Sequence, residues 1–321
     1  MHRDEGDHVR AIIIRGYGGP EVLELADVPT PQPRTGQVRI RVHAAPVHPV
    51  DIATRAGRLA AHGLMAASGD VGMGWDLAGV VDALGPGVDR FKAGDTVIAM
   101  RDLLTAPIGA QAERVVLDTS AVAPAPRSVA PVEASTIPLN SLTADQALDL
   151  LALRPGQWLL VTGAAGAVGG FALELAALRG LRTVAVAAPR DEELVRELGA
   201  EEFVARTQDL GGAVRQVIPA GVHGALDAGL AGMPALDAVR DQGAFVAVAA
   251  GAAPVALRGT RVHNVWIHTD GPRLAELAAL VDAGQLTPRV AGTLPLEQVA
   301  AAHQRVADGG LRGRIVLTLN A

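Results

Sequence analysis

Gly163, Gly166 and Gly169 recur at intervals of three directly after the apolar run Trp158–Thr162, WLLVT. A strand that ends in a tight glycine turn and leads into a helix presents that helix's unpaired amides, and the positive end of its dipole, to a phosphate. The spacing is GxxGxxG rather than GxGxxG, but the requirement is the same. The small residues Ala164, Ala165 and Ala167, with Val168 after them, let a pyrophosphate come close to the backbone. Gly169 and Gly170 let the helix lie close to the sheet. The motif therefore predicts a dinucleotide held over Gly163, Ala164, Ala165, Gly166, Ala167 and Val168. A ligand-free glycine turn is the alternative in a chain with 37 glycines. The strand before the motif and the helix after it favour binding.

The end of the next strand bears on which dinucleotide. NAD sites place Asp or Glu there to accept from the ribose 2′-hydroxyl. This chain reads Ala187-Ala188-Pro189-Arg190, with Arg206 after the following strand. Guanidinium forks suit a phosphate ester, so Ala188, Arg190 and Arg206 predict NADPH. Two solvated surface arginines are the bland alternative, and Asp191 turned inward is the exception to watch.

Other chemistry is thinner. The chain has no cysteine, so thiolate metal sites and disulfides are excluded. None of its nine histidines pairs with another at helical metal spacing, and no metal is expected. His48 has a pKa range suited to donating a proton near neutral pH. Packing, or a bond to backbone, is its equal alternative. Asp51 reads as a helix cap. Trp75 lines a cleft or fills a core. No Ser/His/Asp order suggests a triad, and Ser141 lacks an elbow motif.

These residues need elements to position them. Residues 1–126 read as mostly β, with strands at 10–16, 21–28, 36–43, 76–84 and 94–100. The Ala- and Pro-rich stretch 121–131 reads as a boundary. Strands then alternate with helices. The strands are Trp158–Thr162, 183–188, 203–205, 224–228 and 244–249. The helices are 168–178, 191–198, 210–217 and 234–240, after a helical run at 142–153. Buried strands separated by helices imply a doubly wound parallel sheet. Residues 273–283 and 296–306 read as helices. A last strand, 314–319, has no helix after it and is expected to return to the N-terminal β region.

The formal net charge is -6, which disfavours nucleic acid as a partner. Met1–Arg10 is polar and lacks the apolar core of a signal peptide. No run of roughly 18 apolar residues suggests a membrane span. The cytoplasm is the expected location. Only 2% of residues are aromatic, so the cores must be built from Ala, Val, Leu and Ile.

Several ordered pieces carry a resemblance. They are Val47-His48-Pro49-Val50-Asp51 with Arg55-Ala56-Gly57, then DLAGVV from Asp76, GPGVDRFKAGDTV from Gly85, and Leu142-Thr143-Ala144. VTGAAGAVG from Val161 follows, with Leu198-Gly199-Ala200, Leu294-Pro295-Leu296, Ala302-His303 and RGRIVL from Arg312. Together they resemble the medium-chain dehydrogenase/reductase superfamily, in its zinc-independent quinone oxidoreductase (zeta-crystallin-like) branch. The resemblance implies an α/β chain: a Rossmann domain at 127–262, and a discontinuous, mainly β GroES-like catalytic domain from 1–126 and 263–321. It implies a cleft between them and a homodimer. Thr143 matches the family threonine near the nicotinamide. Val248, Ala249 and Ala250 match the backbone that holds the carboxamide, and Arg190 and Arg206 fall in the 2′-phosphate region. Two departures stand out. Gly74-Trp75-Asp76 occupies the place of Gly-His-Glu in zinc-dependent relatives. His48-Pro49 stands where the branch usually has Asn-Pro with a tyrosine soon after, and the only tyrosine here is Tyr17.

The expected function is NADPH-dependent reduction of a quinone or an α,β-unsaturated carbonyl compound, a small-molecule substrate, without zinc. Carbonyl or aldehyde reduction is the enzymatic alternative. A non-catalytic, crystallin-like NADPH-binding protein is the alternative from another class.

Overall fold

The computed structural model describes residues 8–65 and 70–319. Of the polar stretch Met1–Arg10, residues 1–7 lie outside these. In chain order the strands begin with β1 (His8–Ile14), β2 (Glu24–Pro29), β3 (Gln37–Val47), β4 (Val71–Gly72) and β5 (Asp76–Leu84). β6 (Thr96–Met100), β7 (Arg114–Asp118) and β8 (Val122–Pro124) follow. Then come β9 (Trp158–Thr162), β10 (Arg182–Ala187), β11 (Glu202–Ala205) and β12 (Val222–Asp227). The last are β13 (Val239–Ala247), β14 (Arg261–Asn264), β15 (Val290–Pro295) and β16 (Arg314–Thr318). The helices are α1 (Pro49–Arg55), α2 (Arg58–Ala61), α3 (Pro131–Ala134), α4 (Pro138–Leu151) and α5 (Ala167–Leu178). After them come α6 (Glu192–Glu197), α7 (Leu210–Val217), α8 (Met233–Asp237), α9 (Gly271–Asp282) and α10 (Val299–Asp308).

Backbone contacts divide the chain into two units. The first takes the described residues up to Leu139 with His268–Gly284 and those from Pro288 onward. The second takes Asn140–Ile267 with Gln285–Thr287. The first unit therefore extends past the Ala/Pro-rich stretch, because α3 packs on β3 and β5.

The first unit holds a seven-stranded sheet ordered β15-β16-β3-β5-β6-β8, with β7 also on β3, and a three-stranded sheet ordered β2-β1-β4. The alternation in β3 is the reason for its register. Val38, Ile40 and Val42 are buried while Arg39, Arg41 and His43 between them are not, as a strand with one face on a core requires. Asp82 on β5 accepts from Arg39 Nε at 2.8 Å and from Arg114 Nε at 2.9 Å, tying the outer face of β3, β5 and β7. The inner face joins Ile40, Leu77, Phe91, Ile315 and Leu317 in one core. Each such side chain contributes about 1.5–3 kcal/mol by leaving water. The last strand returns as expected: β16 lies antiparallel to β3, with Ile315 opposite Val47 and Thr318 opposite Ala44.

The second unit holds a six-stranded sheet ordered β11-β10-β9-β12-β13-β14, every pair parallel. Numbered within the unit, that order is the 3-2-1-4-5-6 of a doubly wound Rossmann sheet, with the reversal between β9 and β12. Leu159, Leu160 and Val161 are fully buried, which explains why β9 is apolar without alternation.

Two elements differ from the sequence reading. The helix expected to reach residue 240 ends at Asp237, and β13 starts at Val239 rather than at residue 244. The cause is a bulge: Val222 faces Val239 but Gly224 already faces Ala244. An interrupted strand hides its own period. The strands β4, β7, β8, β14 and β15 are additional to those expected. No helix among the described residues is long and apolar enough to cross a membrane.

Candidate functional site

In the second unit the site residues gather at the C-terminal ends of parallel strands. β9 ends at Thr162, and Gly163 turns the chain with φ +59°, a conformation costly for any residue with a Cβ. Gly166 is the N-cap of α5, and its N–H donates to the Gly163 carbonyl at 2.9 Å. A Cβ on Gly169 would stand 2.3 Å from that same carbonyl oxygen, so the third glycine is required by the protein's own packing. A Cβ on Gly166 would meet only the Gly163 oxygen, at 3.1 Å. Ala167 and Val168 open α5, where backbone amides have no carbonyl one turn back. The cradle thus fits a phosphate: a left-handed turn, small residues and a helix start facing outward from the strand end.

Asp227 and Thr162, which the sequence reading did not single out, brace this loop. The two residues are opposite one another in the β9–β12 pairing, and the Thr162 hydroxyl donates to the buried Asp227 carboxylate. Asp227 also accepts from the amides of Ala231 at 2.9 Å and Gly232 at 2.8 Å, while Thr162 Oγ1 accepts from Gly229 N–H at 2.9 Å. The loop after β12 is thereby held against Gly163, whose added Cβ would lie 2.9 Å from Gly229 N. The available signal was a single acid closing the apolar strand GALDA.

Along the same sheet edge, Ala188 follows β10 and Arg190 lies in the single turn Pro189–Asp191, exposed. Arg206 follows β11, exposed, and its amide donates to the Ala187 carbonyl at 2.9 Å. Both arginines therefore flank the tip of β10. Asp191 is buried at the start of α6. Val248, Ala249 and Ala250 follow β13 directly, with Val248 N–H donating to Asp227 O at 3.3 Å. Thr143 is buried in the first half of α4.

In the first unit, His48 precedes α1 and is wholly buried. Its Nε2 lies 2.5 Å from Oδ1 of Asp76, also wholly buried, and the other Asp76 oxygen accepts from Leu139 N–H at 3.0 Å. Asp51 accepts from the amides of His48 at 2.8 Å and Gly74 at 3.2 Å. It therefore caps α1, as expected, and also ties that helix to the turn before Trp75. Burial pushes the Asp51 carboxyl up to about 6, against the pull of His48 and the two amides. Arg101 donates to Ile108 O at 2.8 Å, and burial brings its guanidinium down to about 10. His48 thus has one ring nitrogen engaged and no solvent contact, an arrangement that suits holding Asp76 better than shuttling protons. Trp75 is half-buried.

Two family descriptions match the chain: alcohol dehydrogenase GroES-like domain over residues 34–127, and zinc-binding dehydrogenase over residues 198–317. The quinone oxidoreductase of Pseudomonas aeruginosa PAO1 is 34% identical over 197 residues, 61% of this chain and 58% of that protein. The chain thus spans less than two thirds of that relative's length. The chloroplastic NADPH-dependent alkenal/one oxidoreductase of Arabidopsis thaliana is 29% identical, over 96% of this chain and 79% of that protein. A solved structure described as an NAD-dependent alcohol dehydrogenase is 30% identical with a TM-score of 0.83, covering 97% of this chain and 100% of that one. The chain belongs to the medium-chain dehydrogenase/reductase superfamily.

Some members of this superfamily carry zinc, and the residues here do not fit it. The chain has no cysteine, and among the described residues no three His, Asp or Glu side chains converge to hold a metal ion. His48 spends its Nε2 on Asp76.

Proposed function

We propose that this protein is an NADPH-dependent oxidoreductase that reduces quinones or α,β-unsaturated carbonyl compounds by direct hydride transfer, without zinc. The observation that carries the reading is the GxxGxxG loop on β9 at the strand-order reversal, where dinucleotides bind in doubly wound sheets. NADPH is favoured because β10 ends in Ala187 with Ala188 directly after it, Asp191 is buried, and Arg190 and Arg206 flank that tip. A 2′-phosphate there finds guanidinium donors and no exposed carboxylate on the strand tip itself. The proposed contacts are the loop from Gly163 to Val168, Ala188, Arg190, Arg206, Thr143 and the backbone of Val248, Ala249 and Ala250.

When bound, the dinucleotide supplies the hydride. The protein orients it: Gly163 and the first turn of α5 hold phosphates, and the Thr162–Asp227 brace keeps the facing loop in place. Relatives named quinone oxidoreductase and alkenal/one oxidoreductase support an electrophilic substrate. The relative named alcohol dehydrogenase supports a carbonyl substrate instead. A simple carbonyl gains most from a Lewis acid, for which no ligand cluster forms among the described residues, whereas a quinone or enone is already electrophilic.

The test is NADPH oxidation by purified protein with a quinone, an enone and an aldehyde, each with and without chelator. Turnover of the quinone or the enone, unchanged by chelation, is expected. Turnover of the aldehyde alone, or activity lost on chelation, overturns the substrate and metal assignments. Tight NADPH binding with no substrate-dependent oxidation assigns a non-catalytic role.

A further inference from the structure

The N-terminal end of the parallel sheet, opposite the glycine loop, holds a different kind of site. A cavity of about 290 Å³ is lined by Ala152, Arg154, His223, Arg240, Gln242 and Arg261 among others. Three guanidinium groups and an imidazole face it, and no carboxylate lines it. That is unusual in a chain of net charge -6. Several other arginines are matched with acids: Arg39 and Arg114 with Asp82, Arg179 with Asp145 and Asp149, Arg258 with Asp237 and Asp241. Among the described residues, Arg154, Arg240 and Arg261 have no carboxylate within ion-pair reach. Asp241, next in sequence to Arg240, faces Arg258 at 3.3 Å.

The local backbone gathers these groups. The bulge in β13 carries Arg240 and Gln242 out of the sheet's regular register. Gln242 is held at φ +59°, with its N–H donating to Arg258 O at 3.0 Å. Ala152, also on the lining, has φ +50°. Non-glycine residues in this region are strained, and such strain concentrates where structure serves a site. Arg261 Nη2 donates to the Leu151 carbonyl at 3.1 Å, anchoring its guanidinium while leaving other donors. Trp158 N–H donates to His223 Nδ1 at 3.1 Å, so the neutral ring carries its proton on Nε2 and offers a further donor. Burial and the charge of Arg240 together hold the His223 imidazole below its ordinary value.

We propose that this cavity binds a small phosphate-bearing anion. Guanidinium forks match phosphate oxygens in pairs, and the volume is near the small end of ligand pockets. The site is separate from the dinucleotide cradle. Trp158 and Thr162 are the two ends of β9, about 13 Å apart along the strand.

Titration calorimetry with pyrophosphate, in low salt and with saturating NADPH present, tests this. One site per chain is expected, weakening as salt rises. Arg154→Gln and Arg240→Gln change exposed side chains, so both variants are expected to melt like the wild type. Each should bind pyrophosphate at least about tenfold more weakly with NADPH affinity unchanged. Inorganic phosphate and glycerol 3-phosphate, run in parallel, distinguish free phosphate from a phosphorylated metabolite as the source. Absence of pyrophosphate binding at millimolar concentration overturns the proposal. So does binding that NADPH displaces, binding indifferent to both variants, or a clear preference for citrate.

Discussion

The imidazole of His48 and the carboxylate of Asp76 meet 2.5 Å apart with neither exposed to solvent. Asp76 serves a second partner, the Leu139 amide at the start of α4. Deleting the carboxylate leaves two buried donors unmatched, each costing about 1–3 kcal/mol. Asp76→Ala is therefore expected to lose about 2–6 kcal/mol in urea unfolding, and Asp76→Asn, which keeps an acceptor, clearly less. His48→Ala is expected to lower stability and to change turnover of a quinone and of an enone by similar factors. A selective loss with the enone would instead give His48 a proton-donating role.

Asp51 sets a pH dependence with a definite sign. Its folded carboxyl titrates at about 6, above the unfolded value of about 3.9. The folded state thus binds this proton more tightly, and the stabilisation is complete below about pH 4 and is lost as pH rises through about 6. Unfolding free energy should fall by on the order of 2–3 kcal/mol over that window from this group. Asp51→Asn should flatten the slope. Paired denaturation curves across the window check it, and an unchanged slope in the variant would assign the dependence elsewhere.

Gly166 and Gly169 should fail differently. A Cβ at Gly169 runs into the Gly163 carbonyl at 2.3 Å, whereas at Gly166 the same oxygen is 3.1 Å away. Gly169→Ala is expected to cost about 1–3 kcal/mol of stability through overpacking. Gly166→Ala is expected to fold with a smaller loss and to weaken dinucleotide binding. Thermal melts and calorimetry on both variants separate the two effects.

Arg190 and Arg206 should discriminate between cofactors. Loss of one charge-assisted bond to phosphate costs about 1.5–3 kcal/mol. Arg190→Ala and Arg206→Ala are each expected to weaken NADPH by roughly that amount while leaving NADH almost unchanged. Equal effects on the two cofactors, measured by calorimetry, would remove the 2′-phosphate assignment.

The fold class was legible because its signals are local. WLLVT followed by glycines and a helical run needs no distant partner to be read, and the alternation of β3 lies within one strand. The brace between Thr162 and Asp227 was not legible. The two residues lie 65 positions apart, and only the parallel pairing of β9 with β12 makes them neighbours. His48 and Asp76, 28 apart, are neighbours through a different pairing, the antiparallel one of β3 with β5. β14, with the sequence RVHN, shows no apolar run, and its edge position explains why none is needed. The bulge of β13 concealed half a strand, because a period cannot be read across inserted residues.

One long edge of β3 is shared by two partners from far apart in the chain. Residues 37–41 take β7, and residues 44–47 take β16. During synthesis the second half of that edge must wait for a strand that begins at Arg314, on the order of tens of seconds at cellular elongation rates. The middle unit is almost continuous in sequence and has no such delay. An unpaired edge is a template for any passing strand. Pro46, opposite Val316 in the finished pairing, has no N–H to offer and interrupts that template while the nascent chain is still growing.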